Sequence, residues 1–176
     1  MDLLKKKLKK IRHVIIDVDG VFTTGHIIVD GTGNESKMFH VHDGTAIFLL
    51  HGARIGVSLL SGRFSQSTEV RAKELKITDV HQGVHKKDQV FDEICEKFRI
   101  RSDETLVMGD DIIDIPILKK AGMAVVVSNA PEDIKQCADY VTTLPGGSGA
   151  VREVVELLLK EQNLWDKTID EYFMNL

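Results

Sequence analysis

Two aspartates stand where a buried strand should end. In HVIIDVDGVF, residues 13–22, the apolar run is interrupted by Asp17 and closed by Asp19 and Gly20. Carboxylates are costly in such a place unless something binds them. Residues two apart in a strand point the same way. The spacing therefore predicts that Asp17 and Asp19 face the crevice beyond the strand's carboxyl end, where open α/β sheets bind ligands. A solvated strand end can look the same, but three later features add weight. LLSGR, residues 59–63, closes a second apolar run with the hydroxyl of Ser61 and with Gly62, whose amide can approach an anion because it has no Cβ. GDDIID, residues 109–114, puts Asp110 and Asp111 at a third tip and Asp114 one helical turn later. HQGVHKKDQ, residues 81–89, offers Lys87 or its neighbour Lys86 at a helix start as a compact positive charge.

Each feature also has a plain structural reading: a helix cap for Ser61–Gly62, acids favoured by a helix N-terminus, a solvent-facing lysine. The set as a whole suits one chemistry. Adjacent carboxylates repel and raise each other's pKa unless a cation neutralises them. A few hard oxygen ligands favour Mg²⁺, which keeps several waters and completes its shell from a substrate phosphate. A carboxylate nucleophile, a hydroxyl, a lysine and a second carboxyl acting as acid and base would transfer a phosphoryl group from a monoester to water in two steps.

The elements that must position these groups alternate. Strands are expected over His13–Asp19, Arg54–Gly62, Thr105–Asp111, Met123–Asn129 and Asp139–Thr143. Helices are expected over Thr45–His51, Ser65–Leu75, Lys87–Phe98, Ile113–Ala121 and Pro131–Cys137. Val90, Phe91, Ile94 and Phe98 fall at helical spacing and mark a buried face. Such alternation predicts an α/β fold, a Rossmann-like, mostly parallel sheet with helices on both faces. GHIIVDGTGNESKMFHVHDG, residues 25–44, breaks the pattern with two short alternating runs around DGTGN, which predicts a protruding β-hairpin over about 25–40. Its open edge invites pairing with another subunit. A helical tail over about 161–176 carries Trp165, Ile169, Tyr172 and Phe173 at helical spacing, read as core or subunit contact.

The 176 residues suit one domain, 1–176, with a sizeable core. A composition 43% hydrophobic and 28% charged excludes a disordered chain, and the net charge of -4 argues against nucleic acid or acidic membranes as partners. Cys95 and Cys137 form no CxxC pattern and read as reduced thiols. The basic start MDLLKKKLKK lacks the apolar core and cleavage site of a signal peptide, and no run approaches the ~20 apolar residues of a membrane helix. A cytoplasmic protein is expected.

DVDGV, LLSGR, the lysine of QGVHKKD and GDDIID resemble the four motifs of the haloacid dehalogenase superfamily of phosphatases. Ser61 stands where threonine is more usual, which preserves the hydroxyl, and the spacing from Gln82–Gly83 favours Lys87 over Lys86. The resemblance implies Asp17 as nucleophile and Asp19 as general acid/base. It implies Mg²⁺ on Asp17, the Asp19 backbone carbonyl and Asp110, with Asp111 and Asp114 nearby, and phosphate on Ser61, the Gly62 amide and Lys87. About forty residues separate the first two motifs, too few for a large cap domain. With the hairpin, FHVHDGTAI, RAKELKI and PGGSGAVREVVE, the chain from roughly Ile11 to Leu159 is similar to the capless 3-deoxy-D-manno-octulosonate 8-phosphate phosphatases. That likeness implies a homotetramer assembled through the hairpins, with neighbouring chains completing each active site, and a role in lipopolysaccharide precursor synthesis.

Relatives act on nine-carbon keto-sugar acid phosphates. The resemblance implies that arginine after the motif-two glycine, here Arg63, goes with the eight-carbon substrate, and its guanidinium fork suits a carboxylate. Asp43 and Gly44 are read as substrate-side residues or as a helix cap. His40 and His42 could share a strand face and ligate a metal, but with no third ligand in view they read as hairpin or rim residues. Gly146, Gly147 and Gly149 lack P-loop spacing, and Arg152 is read as a substrate contact or a surface pair. The rival of another class is a phospho-accepting receiver domain, which shares the sheet, acids, hydroxyl and lysine, but not their order along the chain.

Overall fold

The apolar runs become strands, and the patterned segments between them become the helices that cover the sheet. The computed structural model describes residues 3–174, the side chains of Tyr172 and Phe173 excepted. The strands are β1 (His13–Ile16), β2 (Ile28–Val29), β3 (Glu35–Ser36), β4 (Gly56–Leu60), β5 (Asp79–His81), β6 (Thr105–Gly109), β7 (Met123–Val126) and β8 (Tyr140–Val141). The helices are α1 (Leu3–Leu8), α2 (Val41–Gly52), α3 (Gln66–Glu74), α4 (Lys87–Phe98), α5 (Ile115–Lys120), α6 (Glu132–Lys135), α7 (Ala150–Glu161) and α8 (Trp165–Ile169). Among the described residues no helix is long and apolar enough to cross a membrane.

Six strands form one parallel sheet in the order β5-β4-β1-β6-β7-β8. Every residue of β1, β6 and β7 is buried, as a sheet covered on both faces requires. The chain steps outward from β1 to β4 and β5, then returns to β6 and steps the other way. Right-handed crossovers therefore place α2 and α3 on one face and α4 and α5 on the other. The helix contacts agree: α2 packs on α7, while α4 packs on α5. Fully buried side chains such as Ile15, Ile16, Val107 and Leu158 contribute about 1.5–3 kcal/mol each to this core.

Some boundaries differ from expectation. The first strand stops at Ile16, three residues early, because the chain turns sharply at Asp19 and Gly20. The short β5 and the helix α7 lie in segments that no expected element covered. The three-residue β5 offers too little alternation to detect, and α7 follows a glycine-rich loop that reads as irregular. Helix α2 begins at Val41 rather than Thr45, which brings Asp43 and Gly44 into its first turn. Of the expected face of α4, Phe91 and Ile94 are buried, while Phe98 is partly exposed and lies against the His13 ring. The hairpin is present as β2 and β3 joined by Asp30–Asn34, and Ile27, Ile28, Val29 and Met38 on it are exposed. In the tail, Trp165 and Ile169 pack against the core. The side chains of Tyr172 and Phe173 lie outside the described residues.

One buried polar network ties β1, β4 and β5 together. The Ser58 hydroxyl donates to Asp79 at 2.5 Å and accepts from His13 Nε2, 2.7 Å away, which fixes His13 as the neutral Nε2–H tautomer. Lys97 donates to the other Asp79 oxygen at 2.5 Å. Burial drives the His13 pKa down to about 4, against the pull of Asp79 and with the push of Lys97. The unfolded chain therefore takes up this proton first, and the stability His13 supplies above its ordinary value near 6.5 is lost as pH falls towards 4. His13→Gln keeps a donor for Ser58 and removes the titration. Urea unfolding at pH 7.5 and pH 5 should show the wild-type advantage over this variant shrinking by about 2 kcal/mol on acidification. An advantage that does not change with pH would contradict this account of His13.

Candidate active site

Strand order reverses at β1, and the carboxyl ends of its two neighbours flank it. Ile16 pairs with Leu59 on one side and Met108 on the other, so the three strands finish side by side. The residues that follow their last positions are Asp17, Ser61 and Asp110. Backbone pairing alone brings together groups 44 and 93 positions from Asp17 in the chain. This is the switch point at which such sheets bind ligands.

Asp17 and Asp19 do not share a strand face, because the strand has already ended. They belong to a tight turn over Val18–Phe22, yet both line the same cavity, of about 150 Å³, with Ser61, Gly62, Arg63, Asp110, Asp111 and Ile113. Gly20 makes the turn possible at φ 100°, and a Cβ there would fall on the Asp110 carboxylate. Gly146 packs so closely on the Gly20 carbonyl that a side chain has no room. This close approach is the structural use of the glycine-rich loop. Larger grooves on the surface, such as one of about 450 Å³ beside Phe64 and Lys76, hold no comparable acid cluster.

Lys87 opens α4 and is buried, whereas Lys86 is exposed. The Lys87 ammonium donates to Asp17 at 2.5 Å and to Asp114 at 2.6 Å. The other Asp114 oxygen accepts the amides of Asp110 at 3.0 Å and Asp111 at 3.3 Å, which fixes the tip of β6. Asp111 itself is exposed and accepts the amide of Ile112. Three carboxylates thus surround one ammonium. Burial raises the Asp17 pKa well above its ordinary value, Asp114 and Asp110 add repulsion, and Lys87 opposes the rise. Burial likewise pushes Asp110 up to about 7, with Asp114 and Asp111 adding to it. Burial disfavours the Lys87 charge, but Asp17 and Asp114 outweigh it and its pKa is raised.

Oxygens of Asp17, Asp110 and Asp114 lie within 4.8 Å of one another. An all-carboxylate set with unneutralised negative charge fits a hard divalent cation such as Mg²⁺. Asp17 and Asp110 line the cavity, while Asp114 is fully buried with both oxygens engaged. The Asp19 side chain stands outside this cluster.

Asp19 is held instead from the hairpin. The buried Lys37 donates to Asp19 Oδ1 and lies 3.4 Å from Glu35, and Glu35 accepts from Arg63 at 2.7 Å. Burial raises the Glu35 pKa, but Arg63 and Lys37 outweigh it and the net shift is downward. Arg63 is half exposed at the cavity lip, and its Nε is 4.0 Å from the second Asp19 oxygen. Lys37 and Glu35 were not singled out from the sequence. Alternation does put them on one face of a strand two residues apart, but nothing local shows what that face meets.

The structure does not bring Asp43 or Gly44 to the cavity. Asp43 is fully buried and accepts the amides of Gly149 at 3.1 Å and Arg152 at 2.9 Å, so it caps α7 rather than its own helix. Gly44 packs against Arg71. The rings of His40 and His42 meet edge to face at 5.0 Å, and neither belongs to a three-ligand cluster among the described residues. Arg152 pairs with Glu156 and lies over the Trp165 ring.

Residues 56–153 match the family model described as haloacid dehalogenase-like hydrolase. The chain is 40% identical over 161 residues to a protein of Escherichia coli strain K12 named 3-deoxy-D-manno-octulosonate 8-phosphate phosphatase KdsC, covering 92% of this chain and 86% of the relative. A solved phosphatase of that name from Moraxella catarrhalis, in complex with magnesium ion, phosphate ion and KDO, superposes with a TM-score of 0.94 at 37% identity, over 98% of this chain and 99% of that one. The cobalt-bound Haemophilus influenzae phosphatase gives a TM-score of 0.87 at 36% identity, over 89% and 92%. The chain belongs to the haloacid dehalogenase-like hydrolases and, within them, to the family of 3-deoxy-D-manno-octulosonate 8-phosphate phosphatases. That membership excludes the receiver-domain alternative.

A cation that relieves this repulsion must stabilise the fold. In thermal unfolding, millimolar Mg²⁺ should raise the wild-type melting temperature by several degrees, since ligand at 100 times its Kd adds about 2.7 kcal/mol. Asp110→Asn should melt higher than wild type in chelator, having lost a repelled buried charge, and should lose the magnesium response. An equal response in the variant would remove Asp110 from the cation site.

Proposed function

We propose that the chain is a magnesium-dependent phosphomonoesterase that hydrolyses 3-deoxy-D-manno-octulosonate 8-phosphate to the free sugar acid and phosphate, a step of lipopolysaccharide precursor synthesis. The observation that carries this reading is the convergence of Asp17, Ser61 and Asp110 on one small cavity at the sheet's switch point, with Lys87 donating to Asp17 from behind it. The cavity has room for a phosphoryl group and its cation, and the sugar extends past the lip, where Arg63 lies. A guanidinium there suits the substrate carboxylate and the eight-carbon acid. Family membership supports the same substrate.

In this reading Asp17 attacks phosphorus and takes the phosphoryl group as an aspartyl-phosphate, which splits one hard displacement into two. Lys87 orients the attacking carboxylate, and with the Ser61 hydroxyl and Gly62 amide it holds the non-bridging oxygens. Asp19 gives a proton to the departing sugar oxygen, then takes one from the water that opens the phosphoenzyme. Asp17, Asp110 and the Asp19 carbonyl would hold Mg²⁺, which would supply positive charge to the phosphoryl oxygens. Asp114 keeps Lys87 and the β6 tip in register.

We read residues 1–176 as one capless phosphatase domain working in the cytoplasm. The apolar hairpin face of Ile27, Ile28, Val29 and Met38 supports a homotetramer assembled through the hairpins, since an exposed patch of this kind marks an interface. Neither nucleic acid nor membrane is a partner in this reading.

Phosphate release from eight- and nine-carbon keto-sugar acid phosphates, with Mg²⁺ and with chelator, tests the assignment. The eight-carbon ester should be preferred and turnover should need the metal. Asp17→Asn should lower turnover by at least a thousandfold, about 4 kcal/mol of barrier, with the melting transition intact. Normal turnover in that variant would refute Asp17 as nucleophile, and preference for the nine-carbon ester would reassign the substrate.

A further inference from the structure

We infer that Lys37 is a positioning residue for the acid/base Asp19, and that the hairpin serves the active site of its own chain as well as any assembly. This inference rests on the function proposed above. The Lys37 side chain is only 1% exposed, although it follows a two-stranded ribbon whose other residues are largely exposed. A buried ammonium is expensive unless it is paired. Its partners are Asp19 Oδ1 and, at 3.4 Å, Glu35, so it does not reach the cavity as a phosphate ligand.

The consequence is an asymmetric Asp19. One oxygen is engaged by Lys37. The other is buried and has no hydrogen-bond partner, its nearest charge being Arg63 Nε at 4.0 Å, and it belongs to a side chain that lines the cavity with Asp17. A carboxyl that must pass a proton to a leaving oxygen needs one oxygen anchored and the other free, aimed at the substrate. Lys37 supplies the anchor. As the Asp17–phosphorus bond forms and the phosphorus–oxygen ester bond breaks, the proton on the free oxygen passes to the departing alkoxide. The carboxylate left behind remains paired with the ammonium. Glu35 braces the anchor from the side. It accepts from Arg63, and its backbone carbonyl accepts from the Ser67 hydroxyl at 3.0 Å, so β3 is fixed to the start of α3 and to the motif-two loop.

The leaving group separates this role from a purely structural one. A sugar alkoxide needs a proton to depart, whereas p-nitrophenolate leaves without one, and kcat/KM reports the step in which the leaving group departs. In Lys37→Met, and in Lys37→Gln as a second variant should the first fail to fold, kcat/KM for the sugar phosphate should fall about 30-fold or more. For p-nitrophenyl phosphate the loss should be at least tenfold smaller. Light scattering establishes that the oligomer matches wild type. No loss on the sugar phosphate, or two losses that differ by less than tenfold, overturns the role of Lys37. A wild-type enzyme without turnover of the sugar phosphate would instead defeat the functional reading, so the two failures are distinguishable.

Discussion

An excess of buried negative charge at the carboxyl ends of three parallel strands is the constraint on which the rest of this structure depends. Asp17, Asp110 and Asp114 crowd around the single ammonium of Lys87. In a medium less polar than water such a set is stable only if every acid is held and a further positive charge can enter. The surrounding fold meets the first condition. Asp114 is tied down by Lys87 and two amides, Gly20 leaves space for the Asp110 carboxylate, and Gly146 lets a distant loop close against the turn. The second condition is the opening through which a cation and a phosphate enter.

Repulsion among ligands is thus a working part of the site. Groups that disfavour their own ionisation in the empty pocket bind a divalent ion more strongly when it arrives, because the ion relieves desolvation and mutual repulsion together. Stability is sacrificed locally for binding, and the fully buried strands β1, β6 and β7 supply the margin. The polar network of His13, Ser58 and Asp79 lies in the same sheet, and its one carboxylate is paired by Ser58 and by Lys97 of α4. Paired buried groups specify a structure, and groups left short of partners bind ligands.

The hairpin adds a second layer. Its apolar residues face outwards while Glu35 and Lys37 reach inwards to Arg63 and Asp19. One short ribbon therefore connects an exposed apolar surface to Asp19 at the cavity. Asp43 makes a similar link from the first turn of α2, where its two hydrogen bonds dock the start of α7.

Much of this was legible in the residues themselves. Asp17, Ser61, Lys87 and Asp110 stand at the ends or starts of strongly patterned segments, so the alternation of strand and helix already located them on one edge of a sheet. Local pattern determines that edge because a parallel strand buried on both faces must be apolar until it ends. Three matters were settled only by tertiary structure. Whether Asp17 and Asp19 shared a face depended on where β1 stopped, and the turn that ends it seats Gly20 where only a residue without Cβ clears Asp110, 90 positions away. Asp43 reads from the sequence as a substrate-side residue or a helix cap and is a cap for α7, since a buried carboxylate pairs with whichever amides lie nearest in space. Nothing in the sequence marks Lys37, and only folding removes its water and leaves Asp19 as its counter-ion. Sequence by itself determined the kinds of group and their order. The partner of each charge was chosen by packing, because electrostatic energy depends on distance through space and on burial, and neither is written in chain order.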